Sequence, residues 1–125
     1  MFLHDPGRSD WGFTVSKENN PGGAGGYEVQ TITMERILAD FPAWAYAPFI
    51  CKIDIEGGEK YLFKKRTEWM EKYPLIIIEL HDWILPGEAN SKNFLKAIAN
   101  YDFDFVNYGE NIFCFNNALL SRGKS

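Results

Sequence analysis

Two short stretches concentrate the side chains able to do chemistry. Lys52-Ile53-Asp54-Ile55-Glu56-Gly57-Gly58-Glu59 brings three carboxylates and an amine together, and Glu79-Leu80-His81-Asp82 adds two carboxylates and an imidazole. Alternation along an extended strand sets Lys52, Asp54 and Glu56 on one face with Ile53 and Ile55 on the other, and groups Ile77, Glu79 and His81 in the same way. Neighbouring parallel strands stand about 4.8 Å apart, so Asp54 or Glu56 comes within reach of Glu79 or His81. Carboxylates and an imidazole crowded at one sheet edge push each other's pKa values apart, which suits general acid–base catalysis or metal binding. The structural alternative is an ion-pair network in which Lys52 neutralises Asp54 and Glu79 and fixes strand pairing. For Asp54 and Glu56 both readings stand, since charge in an apolar strand is costly. For Lys52 and Glu79 the network is the simpler account. Glu59, in a first helical turn, reads as a complement to the helix dipole. His81, just past a strand end, is either an exposed loop histidine or a catalytic base.

These residues need a scaffold, and the flanking pattern supplies one. Phe49 to Ile55 suits a buried strand, and Gly57-Gly58 turns it into a helix with the apolar stripe Leu62, Phe63, Trp69, Met70 and Tyr73, closed by Pro74. Leu75 to Leu80 is almost continuously apolar, as in a strand covered on both faces, which points to a parallel pair crossed by a helix. In open α/β sheets ligands bind beyond the carboxyl ends of such strands, where Asp54, Glu56 and His81 fall. Upstream, Tyr27 to Ile32 reads as a strand, and Thr33 caps a helix carrying Met34, Ile37, Leu38 and Phe41 that ends before Pro42. Downstream, Ser91 caps a helix with Phe94, Leu95, Ile98 and Tyr101 on one face. Phe103 to Tyr108 and Asn111 to Asn116 form a hairpin across Gly109-Glu110. Residues 1–26 are irregular apart from a short strand over 11–15, and the glycine-rich run 16–26 reads as a connector, because it leads into a strand rather than a helix. Residues 118–125 form a tail.

A chain of 125 residues with 46% hydrophobic and 24% charged residues is an ordinary globular domain with a real core. Its net charge of −4 supplies no basic field for nucleic acid. The short run Lys64-Lys65-Arg66 reads as the solvated face of a helix. With no stretch long enough to span a bilayer and no signal peptide, the protein is expected to be soluble and cytoplasmic. Cys51 and Cys114 sit in apolar runs without metal-site spacing and read as buried free thiols.

The segment Lys52 to Glu59, KIDIEGGE, resembles the KIDVEGAE signature of FkbM-type methyltransferases, departing from it at Ile55 and Gly58. Val29 to Met34 is similar to the family's lead into the preceding helix, Ile76 to His81 to its strand ending in Glu-Leu-His, and the terminal hairpin fits as well. The resemblance covers roughly residues 27–117. It implies an α/β fold, part of a class I, Rossmann-like methyltransferase sheet with parallel strands and a C-terminal antiparallel hairpin. It also implies an S-adenosylmethionine-dependent O-methyltransferase acting on a hydroxyl of a small molecule or sugar. The methyl donor would lie near Asp54, and the acceptor hydroxyl near Glu56 and His81, so that Asp54, Glu56 or His81 orients or deprotonates it. The family's strand order inserts the Leu75–Leu80 strand between those carrying Cys51 and Cys114, too far apart for a disulfide.

The strand, Gly-x-Gly turn and ribose-binding acidic residue on which the family builds its donor site do not precede residue 27. The expectation is therefore the C-terminal part of a methyltransferase domain with little activity alone, completed by a missing N-terminal half, a partner chain or a homodimer. A divalent cation on Asp54 and His81 would lower the hydroxyl pKa, but oxygen-rich sites need more ligands than can be placed, and no metal is expected. The alternative function is a non-catalytic interaction module that pairs its exposed sheet edge with a partner.

Overall fold

A computed structural model of the chain describes residues 2–4, 14–16 and 27–120. Three short strands, β1 (Phe2–His4), β2 (Thr14–Ser16) and β3 (Tyr27–Glu28), make a small antiparallel sheet with β1 in the middle. The N-terminal segment is thus less irregular than its composition suggests. The strand expected over 11–15 is met only at its end, while residues 11–13 and the glycine-rich 17–26 lie outside the described residues. Of the strand expected from Tyr27 to Ile32, only Tyr27–Glu28 pairs.

Helix α1 (Met34–Asp40) starts where Thr33 Oγ1 accepts a hydrogen bond from Arg36 N at 3.1 Å, and it ends before Pro42. Strand β4 (Ile50–Ile53) then enters the main sheet and stops two residues short of the expected Ile55. After it come the single helical turn α2 (Glu59–Leu62) and a 3-10 helix (Glu68–Lys72). The continuous helix expected over this stretch is broken at 63–67, where Arg66 takes a φ of 54°. The break brings the Phe63 and Trp69 rings to 5.7 Å, so aromatic packing overrides helical periodicity. It also leaves Lys64, Lys65 and Arg66 exposed on a loop rather than on a helix.

Strand β5 (Leu75–Glu79) runs parallel to β4, with Cys51 opposite Ile76 and Ile53 opposite Ile78. Helix α3 (Lys92–Ile98) follows. The hairpin of β6 (Phe103–Tyr108) and β7 (Asn111–Asn116) has the expected bounds. Gly109 takes a φ of 62° at the first central position of its turn, as a two-residue hairpin loop demands. A last helical turn, α4 (Asn117–Leu120), stands where a tail was expected.

The main sheet is thus a mixed α/β arrangement in the order β4-β5-β7-β6, parallel between β4 and β5 and antiparallel elsewhere. In register, Cys51, Ile76 and Cys114 lie side by side on successive strands. Two strand spacings separate the thiols by roughly 10 Å, and both are free. Burial drives the thiol of Cys51 up to about 11 and that of Cys114 up to about 12.

Ile53, Ile76, Ile78 and Cys114 form one face of the sheet and pack with Phe63, Trp69, Met70 and Phe94 into the core. Helix α3 buries Phe94 and Ala97, but Leu95 is 48% exposed and leaves the expected apolar stripe. The opposite sheet face, with Leu75, Ile77, Phe113 and Phe115, is only half-buried, so β5 is not covered on both sides by the described residues. Among those residues no helix is long and apolar enough to cross a membrane.

Candidate acid–base cluster at the strand ends

Beyond Ile53 the chain leaves the strand and turns. Glu56 and Gly57 take φ of 48° and 97°, and Gly58 N donates to Ile55 O at 3.0 Å. Two successive positive φ values are the pattern of a type I′ turn, which glycine accepts and glutamate does not favour. The strand alternation that would align Lys52, Asp54 and Glu56 therefore ends at Asp54. It is the strained turn that brings the Glu56 carboxylate back over the end of β5.

His81 sits one residue past Leu80, at the mouth of the same strand end, and is 1% exposed. It is not an exposed loop histidine. Its Nδ1 is held by Glu59 Oε1 at 2.6 Å, and Asn90 Nδ2 donates to Glu59 Oε2 at 2.5 Å. Glu59, itself 0% exposed, is therefore the inner anchor of the site rather than a surface complement to the dipole of α2.

The loop that supplies Asn90 is tied down on both sides. Ser91 N donates to Asp82 Oδ1 at 3.0 Å, which starts α3 with a neighbour's carboxylate instead of the expected Ser91 side-chain cap. Lys60 meets Glu88 at 2.7 Å, and Asn93 Nδ2 donates to Lys60 O at 2.7 Å, fastening α2 to the loop and to α3. Sequence reading gave Glu59 only the helix dipole to complement and did not single out Asn90. Their signal was only that Glu59 follows the Gly57-Gly58 turn and Asn90 precedes a helix.

The other imidazole nitrogen faces outward into acid. His81 Nε2 lies 3.5 Å from Asp54 Oδ1, 3.6 Å from Glu79 Oε1 and 3.8 Å from Glu56 Oε2, and it has no hydrogen-bond partner although it is buried. One ligand-type atom from each of Asp54, Glu56 and His81 lies within 4.8 Å of the others. The expected trio is thus brought together, and Glu79 joins it. Lys52 reaches Asp54 at 3.5 Å as an exposed pair, whereas the Glu79 carboxylate turns to His81.

Burial opposes a charge on His81, yet the Glu59 hydrogen bond and the charges of Glu59, Glu56 and Glu79 outweigh it and raise its pKa above 6.5. Burial likewise works against Glu59, but the same hydrogen bond, with Asn90, carries its carboxyl below 4.5. Glu56 is raised above 4.5 by burial and by Asp54, Glu79 and Glu59, against the pull of His81.

A pH dependence of stability follows. The His81 interaction stabilises fully below pH 6.5 and is lost as pH climbs through its raised folded value, while that of Glu59 is complete above pH 4.5 and is lost as pH falls through its lowered one. Urea midpoints in metal-free buffer should peak between those two values, and His81→Gln should flatten the alkaline decline. A wild-type midpoint that rises steadily from pH 6.5 to about 8.5 would contradict the pairing.

The chemistry available is proton transfer, orientation of a hydroxyl, or ligation of a cation. A methyl donor fits less well. A nucleoside needs a glycine turn and an acidic partner for its ribose, whereas Asp54 and Glu56 are turned to His81. A cleft of about 480 Å³ beside β4 is lined by Met34, Cys51, Tyr61 and Trp69 and by none of the acidic cluster. Among the described residues the cleft and the acidic cluster are thus lined by different side chains. Compared with protein-family models, with curated proteins and with solved structures, the chain finds no match.

Proposed function

We propose that this chain is the acceptor-activating part of an FkbM-type, S-adenosylmethionine-dependent O-methyltransferase of the cytoplasm, where Cys51 and Cys114 stay reduced. The observation that carries the reading is the buried, unpartnered His81 Nε2 facing Asp54, Glu56 and Glu79 at the ends of two parallel strands. A hydroxyl of a sugar or small molecule placed there meets several proton acceptors at once, and proximity with a positioned base is most of what such a transfer asks of the protein. The class I strand arrangement is supported by the order β4-β5-β7-β6.

Residues 1–125 alone are expected to bind S-adenosylmethionine more weakly than about 1 mM and to transfer no methyl group, because a few polar contacts do not offset the immobilisation of a flexible ligand. Millimolar donor should still shift amide resonances between Ile53 and Glu59. No shift there would sink the methyltransferase reading. Tight, stoichiometric binding abolished by Asp54→Ala would instead show that this chain, or a second copy of it, completes the donor site.

A second reading, a non-catalytic module, is favoured by the half-buried apolar sheet face and by Phe49, 71% exposed, and Ile50 at the open edge of β4. A stable dimer by light scattering, together with no donor-induced shift, would select it.

A further inference from the structure

We infer that Asp54, Glu56 and His81 form a binding site for a single divalent first-row cation such as Mn²⁺. The inference deepens the acceptor-site reading above, since the ion would hold the acceptor oxygen, but its test needs neither donor nor acceptor. An acidic cluster alone is common on protein surfaces. What distinguishes this one is the imidazole at its centre, with Nε2 buried, unpartnered and aimed at the carboxylates. Water or a proton-sharing neighbour ordinarily satisfies such an atom, and leaving it bare is costly.

The spacing suits an ion. Ligand atoms about 2.0–2.2 Å from a tetrahedral centre stand about 3.3–3.6 Å from one another. Nε2 lies 3.5 Å from the Asp54 oxygen and 3.8 Å from that of Glu56, too far for hydrogen bonds and close to two edges of such a tetrahedron, and the three ligand atoms all fall within 4.8 Å of one another. The opposite nitrogen is already committed, since Glu59 holds Nδ1 at 2.6 Å and Asn90 steadies Glu59. A carboxylate behind the ligating histidine fixes the tautomer and the ring angle, as metal-binding histidines require. Charge points the same way. Asp54, Glu56, Glu59 and Glu79 gather around one imidazole, and the lysine at hand, Lys52, reaches only the outermost of them.

Three protein ligands leave positions open on the ion, one on a four-coordinate ion and several on Mn²⁺, which prefers six ligands. An acceptor hydroxyl in an open position would have its pKa lowered by the ion. Its proton would pass to Glu79, which stands 3.6 Å from Nε2 and outside the ligand trio. The Glu56 backbone fits the same account, since a residue held at a φ of 48° is strain retained for where its carboxylate ends up.

The test is Mn²⁺ titration of the metal-free chain, followed by electron paramagnetic resonance and by paramagnetic broadening of amide signals. Mn²⁺ is chosen because thiols take up zinc far more readily. One ion per chain is expected, with broadening centred on Ile53–Gly58 and Leu80–Asp82. Asp54→Asn and Glu56→Gln, both at partly exposed side chains, should each leave the urea midpoint of the metal-free chain nearly unchanged and weaken binding at least tenfold, and His81→Gln should abolish it. No binding, unchanged affinity in the Asp54 and Glu56 variants, or broadening centred elsewhere, such as on Asp102 and Asp104, overturns the site. A failure here leaves the methyl-transfer reading standing, and absence of donor-induced shifts leaves the cation site standing.

Discussion

Glu59→Ala should destabilise the chain by about 3–5 kcal/mol, the cost of removing one partner of a buried charged pair. The carboxylate is wholly buried and serves three neighbours: His81 Nδ1, Asn90 Nδ2 and, at a longer 3.5 Å, Gly57 N. Alanine leaves an imidazole and an amide in the interior with nothing to bond, and each unsatisfied group keeps its desolvation penalty. Glu59→Gln retains one acceptor and gives up the charge, so its loss should be smaller. Urea unfolding of the two variants near pH 6 separates them. Equal and small losses would mean that Glu59 is a surface complement to the helix dipole after all. Because Nδ1 orients the ring, Glu59→Gln should also weaken whatever Nε2 binds by about 10–100-fold, an effect a merely structural residue would not produce.

Phe94→Ala should cost a comparable 3–5 kcal/mol, through a different cause. Phe94 is fully buried on α3, edge-on to Phe63 at 5.1 Å and stacked at 6.2 Å on Phe105 of β6. Truncation removes the ring that joins the helical layer to the sheet and leaves a cavity that three separately anchored elements cannot all close. Leu95→Ala, one position along and turned to solvent, is the control, with an expected change within about 0.5 kcal/mol. Similar losses for the two would show that α3 is rotated from its described orientation. His81 and Glu59 lie on other elements, so cation binding should survive in the folded fraction of the Phe94 variant.

The parts of this architecture legible in the sequence are those that depend on local chemistry. A two-residue turn with glycine first defined the hairpin, Thr33 marked the start of α1, and the apolar runs at β4 and β5 with a helical stretch between them implied parallel pairing. Glycine at 57 and 58 announced a turn, but not that Glu56 would enter it with a positive φ. The break at 63–67 was invisible because its cause, the meeting of the Phe63 and Trp69 rings, lies in packing rather than periodicity. The candidate site divides in the same way. Strand alternation brought Asp54 and His81 together, and their proximity held even though the strand ended early. Glu59 and Asn90 were not legible, since their contact spans a loop whose path is set by Asp82, Lys60 and Asn93, and no spacing rule connects residues held by such a clasp.

The strand order has a consequence for how the molecule comes into being on the ribosome. Strand β5, the centre of the sheet's apolar core, pairs on one side with β4, which precedes it, and on the other with β7, the last of the sheet's four strands to be made. A lone parallel pair is poorly stable, whereas the β6–β7 hairpin closes across two residues and can form as soon as both strands exist. Assembly should therefore run against the direction of synthesis, with the hairpin first, β5 docking onto it and β4 joining at the edge. Until the hairpin has emerged, Ile76 and Ile78 wait uncovered for a time on the order of seconds at ordinary translation rates. That interval is when a nascent-chain chaperone would have most to hold.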